Sequence, residues 1–405
     1  MRFLLGFGSC AIGVGAEEVA ESLEILLQNT DYVLEKVGCN GLCFAEPVLQ
    51  IINDDGEDAF YGYLNPDSAC QVVKEALLGQ KYSQNLLCDE LRFLEPQKRL
   101  VLRNMGLIDP EKIADYIQRD GYQALEQALS MPREDIIKII DDAQLRSRVG
   151  DGVCVGQKWH SVNESPLQEK YIICNIDPGD SGAFVDRSLL EGDPHGILEG
   201  IIIAGYAIQA KMAFIYINDE YDLPILRLEK ALQQARQLGY LGNNILAEGW
   251  DFNIEIVYKK RESFFRDLAR DYINTARFMD DGETFANIPW IISHGSQAFA
   301  SIGTENSKGT KVFSLAGQVE RGGLIEIPMG FTLRDVIYQI GNGLQTNKPF
   351  KAVQLGGPWG IFFPENLLDT PIDYRNILAM GGAIGSGVLM VIDSTDCIID
   401  IVNYF

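Results

Sequence analysis

Residues 170–221 read KYIICNIDPGDSGAFVDRSLLEGDPHGILEGIIIAGYAIQAKMAFIYINDEY. Tyr171 to Cys174 is a short apolar run without helical period, the pattern of a strand buried on both faces of a sheet. The polar loop Asn175-Ile176-Asp177-Pro178-Gly179-Asp180-Ser181-Gly182 follows at once. It puts amide and carboxylate groups just past a strand end, where open α/β sheets have their ligand crevice. Asp193-Pro194 predicts a helix start, with the aspartate as N-cap and the proline in the first turn. Ile197, Ile201, Ile202 and Ala204 to Ile208 give that helix a broad apolar face, and Ala213 to Ile217 returns as a strand. The stretch is a βαβ unit, and the flanking segments read as attachments to it.

Composition sets outer limits. A chain of 405 residues allows two to four domains, and its 46% hydrophobic content is that of a globular protein. No run of about 18 apolar residues occurs. The opening MRFLLGFG is too short for a signal-peptide core and reads as a first strand, so a cytoplasmic location is expected. The net charge of −23 argues against nucleic-acid and anionic-membrane partners, since both need a basic surface. Eight cysteines in a reducing compartment read as buried thiols or metal ligands before disulfides.

The central block resembles the flavin-binding, NADH-oxidising subunit of respiratory complex I and of soluble NAD-dependent hydrogenases and formate dehydrogenases. That family carries C-N-x-D-E-G-x-P-G-x-F followed by a D-P-H helix. Cys174, Asn175, Asp177, Gly179, Gly182, Phe184, Arg187, Asp193, Pro194 and His195 stand where the pattern wants them. Pro178 and Ser181 depart from it, and the resemblance implies that Pro178 replaces a glutamate contacting the nicotinamide nucleotide.

The family's flavin loop, R-G-R-G-G-x-G-F-P-T-G-x-K-W, corresponds to RSRVGDGVCVGQKW at residues 146–159. Glycines matter there because the backbone must come close to phosphate and isoalloxazine. Arg148, Gly150, Gly152, Gly156, Lys158 and Trp159 are kept, while Ser147, Val149, Val153 and Cys154 replace two glycines, a phenylalanine and a proline. Asp151 adds negative charge beside a would-be phosphate. The resemblance makes Arg148, Gly150, Lys158, Asn175 and Asp177 the candidate cofactor-binding residues, although Arg148 and Lys158 suit surface salt bridges equally well.

The N-terminal 80 residues predict strand, helix, strand, hairpin and helix, a thioredoxin-like plan. They resemble the [2Fe-2S] ferredoxin domain often fused ahead of the flavin-binding body in this family. Such a cluster takes C-x4-C followed by C-x3-C, because each iron needs two soft ligands. Cys10, Cys39 and Cys43 match the last three positions, and the first falls on Leu5. Two readings stand open, a [2Fe-2S] cluster completed from elsewhere or a fold kept with its cluster lost. Cys70 and Cys88 read as packing residues.

Residues 81–145 read as a helical linker that supplies packing and no chemistry. Residues 146–295 correspond to a Rossmann-like flavin/NADH-binding α/β domain, and 296–405 to the β-grasp domain that follows it in the family. After Trp250-Asp251-Phe252 the family's glycine-rich G-E-E-T-A-L-L strand and its P-T-x-x-N-N-V-E-T loop are missing. Residues 259–281 are expected instead to form one amphipathic helix with Phe264, Leu268, Tyr272 and Ile273 on one side, and the acidic flavin contacts are expected to be absent. The C-G-x-C-x-P-C motif of a terminal [4Fe-4S] domain has no counterpart. The expectation is therefore an α/β multidomain protein that has lost FMN and NAD and serves as a structural or docking subunit beside iron-sulfur or flavin subunits. An active FMN-dependent NADH-oxidising, diaphorase-type subunit is the alternative.

Overall fold

The computed structural model describes residues 1–176, 180, 182–259 and 275–404. Three sheets organise them, each built on a different plan.

The first sheet holds β1 (Arg2–Gly6), β2 (Leu34–Val37), β3 (Leu49–Ile52) and β4 (Asp58–Tyr61) in the order β2-β1-β3-β4. β1 runs parallel to β2 and antiparallel to β3. The helices Ala16–Leu27 and Pro66–Leu77 pack on it through Val19, Leu23, Val72 and Val73 around Phe3 and Leu5. Asn65 opens the second helix with a reciprocal cap to Ser68, in which each side chain accepts from the other's backbone N–H.

The second sheet is wholly parallel, β7-β6-β5-β8, made of β5 (Lys170–Asn175), β6 (Met212–Asn218), β7 (Ile254–Lys259) and β8 (Ala276–Asp281). The expected βαβ unit is there, and Asp193 caps the helix Pro194–Ile208 by accepting from the Gly196 N–H at 3.0 Å. This helix is buried on every side except at Tyr206, because the sheet covers one face and the helices Gln123–Leu129, Arg133–Asp142 and Gly282–His294 cover the others. Gly200 permits the closest crossing. A β-carbon there would lie 2.0 Å from the Phe285 carbonyl oxygen.

The third sheet, β10-β9-β13-β11-β12, comprises β9 (Thr310–Gly317), β10 (Gly323–Pro328), β11 (Phe350–Leu355), β12 (Ile361–Phe363) and β13 (Val388–Asp393), with only β9 and β13 parallel. Its core continues into Leu42, Ala45, Val48, Leu87 and Phe93, so the N-terminal segment is tied to it by shared packing.

Several expectations need correction. Residues 259–281 are not one helix. Ile254–Lys259 and Ala276–Asp281 are both strands, and β8 is in register with β5 from Lys170↔Ala276 to Asn175↔Asp281. The alternating burial of Ala276, Phe278 and Asp280 fits a pleated strand filling a sheet edge better than a helical face. Phe264, Leu268, Tyr272 and Ile273 lie outside the described residues. A further helix, Val185–Gly192, stands between the polar loop and Asp193. Asp335–Ile340 forms a π-helical turn, and Cys88 is exposed rather than packed.

Candidate functional site

The carboxyl ends of the parallel strands open onto a crevice, as the topology requires. Asp280 and Asp281 end β8 beside Cys174 and Asn175 of β5. Across the opening, Arg146 and Cys154 pair as an isolated bridge and pinch residues 147–153 into a loop. Gly150 and Gly152 take the left-handed region there, with φ of 67° and 70°. A β-carbon on Gly150 would meet nothing, so this part of the loop faces open space, whereas one on Gly152 would strike the Tyr374 ring.

The crevice encloses about 230 Å³ and is lined by Gly150, Lys158, Asn175 and Asp280 among others. Its far wall comes from the third sheet's loops, where Ser386 donates to Asp180 and Trp359 stands 77% exposed at the mouth. Of the predicted residues, Gly150, Lys158 and Asn175 come together here. Arg148 turns away, 1% exposed, donating through Nη2 to the Lys308 carbonyl at 2.9 Å and lying over Phe299; its Nε and Nη1 have no partner. Asp177 lies outside the described residues, as do Pro178, Gly179 and Ser181. His195 is buried and structural. It bonds Tyr122 Oη at 2.9 Å, and burial holds its imidazole down to about 4.

The sequence reading missed the acidic lining. Lys158 Nζ reaches Asp280 Oδ2 at 2.9 Å, and Ser147 Oγ donates to the same oxygen at 2.7 Å. Burial and the neighbouring Asp281 push the Asp280 carboxyl up to about 7 against the pull of Lys158. Asp281 caps the following helix by accepting from the Thr284 N–H at 2.9 Å. Behind it, Glu283 accepts from the Val312 N–H at 2.8 Å and from the Lys311 ammonium, and burial holds its carboxyl at about 7. Asp186, which accepts from the Glu283 N–H at 3.0 Å, is pushed well up by burial and by Asp281. The expected absence of acidic groups is thus corrected. The only signal was Asp280-Asp281 directly before Gly282-Glu283-Thr284, and it becomes legible once residues 276–281 are read as a strand.

These residues test the fit of a flavin mononucleotide. Val149, Val153, Met279 and Trp359 offer an apolar ring acceptable contacts. A phosphate dianion would meet an acidic lining. Among the described residues Asp151, Asp180, Asp280 and Asp281 line the crevice against one ammonium, already paired to Asp280.

The cysteine site lies at one end of the first sheet. Cys39 and Cys43 sulfurs are 3.8 Å apart, and Cys43 is hydrogen-bonded to Cys10, drawing the Cys10 thiol down to about 7. Cys43 is pushed well up by the same contacts and by Cys39. Glu46, unremarked in the sequence, faces this group. Its Oε2 accepts from the Val48 N–H at 2.8 Å, its buried Oε1 lacks a hydrogen-bond partner, and burial pushes its carboxyl to about 8. Three soft donors stand together here, and the fourth position is taken by a hard carboxylate rather than a thiolate. Still, among the described residues no three His, Cys, Asp or Glu side chains are set to hold a metal ion.

Comparison with known proteins bears on both sites. Residues 140–264 match the family profile described as Nuo51 FMN-binding domain. The chain is 41% identical to HndC, a subunit of the NADP-reducing hydrogenase of Solidesulfovibrio fructosivorans, over 331 residues, 76% of this chain and 67% of that one. It is 36% identical to an NADH-quinone oxidoreductase subunit of Aquifex aeolicus over 330 residues, 76% of each chain. The chain belongs to the family of NADH-oxidising flavoprotein subunits. A further relative, an NADH-quinone oxidoreductase subunit of Rhizobium meliloti, is 33% identical over 74% of this chain and 77% of its own. An NAD+-reducing [NiFe]-hydrogenase in the H2-reduced state superposes with a TM-score of 0.62 over all of this chain and 70% of that one; at 20% identity this bears on the fold alone. Among the described residues no helix is long and apolar enough to cross a membrane.

Proposed function

We propose that this chain is a family member whose flavin crevice is lined with carboxylates that oppose the cofactor's phosphate, and that it serves as a structural or docking subunit of a multisubunit redox complex. One observation carries this reading. Among the described residues the one ammonium lining the crevice is paired to Asp280, and three further carboxylates line the same space. The relatives are by name a hydrogenase subunit and NADH-quinone oxidoreductase subunits, so iron-sulfur or flavin subunits are the expected partners, in the cytoplasm. The topologies support a thioredoxin-like domain at 1–80, a Rossmann-like flavin-type domain at 146–295 and a β-grasp domain at 296–405, joined by the helical segment 81–145. FMN and NAD are read as lost, and Cys10, Cys39 and Cys43, with Glu46 beside them, as the remaining place for a [2Fe-2S] cluster.

A second reading, an active FMN-dependent NADH-oxidising subunit, is favoured by Gly150, Lys158 and Asn175 lining one cavity. The absorption spectrum of the anaerobically purified chain separates the two. We expect no flavin band and no NADH oxidation with artificial acceptors, and turnover with bound flavin would sink the first reading. Iron and sulfide assays after anaerobic reconstitution, on wild type and Cys39→Ser, test the cluster; iron-free wild type rejects it.

A further inference from the structure

The segment expected to supply packing alone lines a polar cavity beside the central helix. Arg99, Arg103 and Arg119 face this space of about 620 Å³, with Glu199 at its floor and Trp290 and His294 on its wall. That volume falls in the usual range for small-ligand sites, roughly 300–1,000 Å³.

The arginines are held in place by neutral partners. Glu326 of β10 accepts from the backbone N–H groups of Leu100, Val101 and Leu102 at 3.0, 3.0 and 2.8 Å, and so fixes the turn that carries Arg99 and Arg103. Arg99 Nη2 donates to the Asn40 carbonyl, and Arg103 Nη1 to the Leu100 carbonyl at 2.8 Å. Arg119 donates from Nε to Asn104 Oδ1 at 2.8 Å and from Nη2 to the Arg103 carbonyl at 3.3 Å.

Among the described residues none of the three forms an ion pair, although the chain carries 57 acidic side chains against 34 basic ones. Nearby carboxylates have partners of their own. Asp120, which also lines the cavity, accepts from Gln123 Nε2 at 3.0 Å, Glu199 from Tyr116 Oη and the Leu125 N–H, and Asp193 from Asn104 and the Gly196 N–H. They temper the field and leave guanidinium N–H donors facing the cavity. A guanidinium offers five donors in a planar fork that suits phosphate oxygens. On the opposite wall the Trp290 and His294 rings stack at 4.3 Å and 5°.

We propose that this cavity binds a small phosphorylated ligand, the phosphate held by Arg99, Arg103 and Arg119. The site is separate from the strand-end crevice and does not depend on how that crevice is read.

Isothermal titration calorimetry of the full chain with pyrophosphate and with ADP tests it. Binding is expected for the wild type and should weaken by at least about tenfold in Arg119→Gln, whose exposed side chain can change without disturbing the core, and in Arg103→Gln. Lys158→Gln, in the other crevice, should leave it unchanged. Equal affinity for the two probes assigns the site to inorganic phosphate. Tighter ADP binding, lost in Trp290→Leu, assigns it to a nucleotide. Either result supports the proposal. No heat with either probe at roughly millimolar concentration, binding undiminished in the arginine variants, or binding lost in Lys158→Gln would overturn it.

Discussion

Replacing Asp280 by asparagine should become more favourable to stability as pH rises from 5 to 8. Asp280 is 3% exposed, and burial together with Asp281 raises its carboxyl from 3.8 to about 7. Between those values the folded chain holds a proton that the unfolded chain has released, so this group's contribution to stability falls as pH rises through the window and is flat above about 7. From pH 5 to 7 that decline amounts to roughly 2–3 kcal/mol, at about 1.4 kcal/mol for each pH unit. Asparagine keeps an oxygen for Ser147 and Lys158 but cannot ionise, so its curve lacks the decline. Glu283, Asp186 and Glu46 slope the same way, and His195, held down to about 4, slopes the opposite way below its unfolded value; all of these cancel in the difference. Urea denaturation of both proteins, followed by tryptophan fluorescence at pH 5 and pH 8, should show Asp280→Asn gaining roughly 2–3 kcal/mol on wild type between the two conditions. A difference constant to within about 0.5 kcal/mol would refute the charge accounting of the crevice.

Lys311→Met should destabilise by about 3–5 kcal/mol at pH 8, because Lys311 and Glu283 side chains are 0% and 2% exposed and the carboxylate is left unpaired. The penalty should shrink at pH 5.5, below the value of about 7 at which Glu283 takes its proton, and a pH-independent penalty in chemical denaturation would contradict this. Gly200→Ala drives a methyl against the Phe285 carbonyl at the helix crossing and should cost about 1–3 kcal/mol; an unchanged Tm in calorimetry would show that the helices separate freely.

Local chemistry made much of this legible in the sequence. The capped, apolar helix from Pro194 and the strands on either side of it follow from period and caps, which act over a few residues. The grouping of Gly150, Lys158 and Asn175 was implied by the family resemblance, and of the three only Asn175, at the end of β5, is placed at the crevice by strand topology. The rest depended on contacts distant in sequence. Residues 276–281 become a strand only because β5 has a free edge with matching register, and that pairing puts Asp280 against Lys158, 122 positions away. Glu326 fixes a turn 225 positions before it, and so gathers arginines that in sequence sit in an unremarkable mixed-charge connector. Burial decides the properties of these groups, including the raised carboxyls of Asp280, Glu283 and Glu46, and burial is set by the whole packed core rather than by any neighbouring residue.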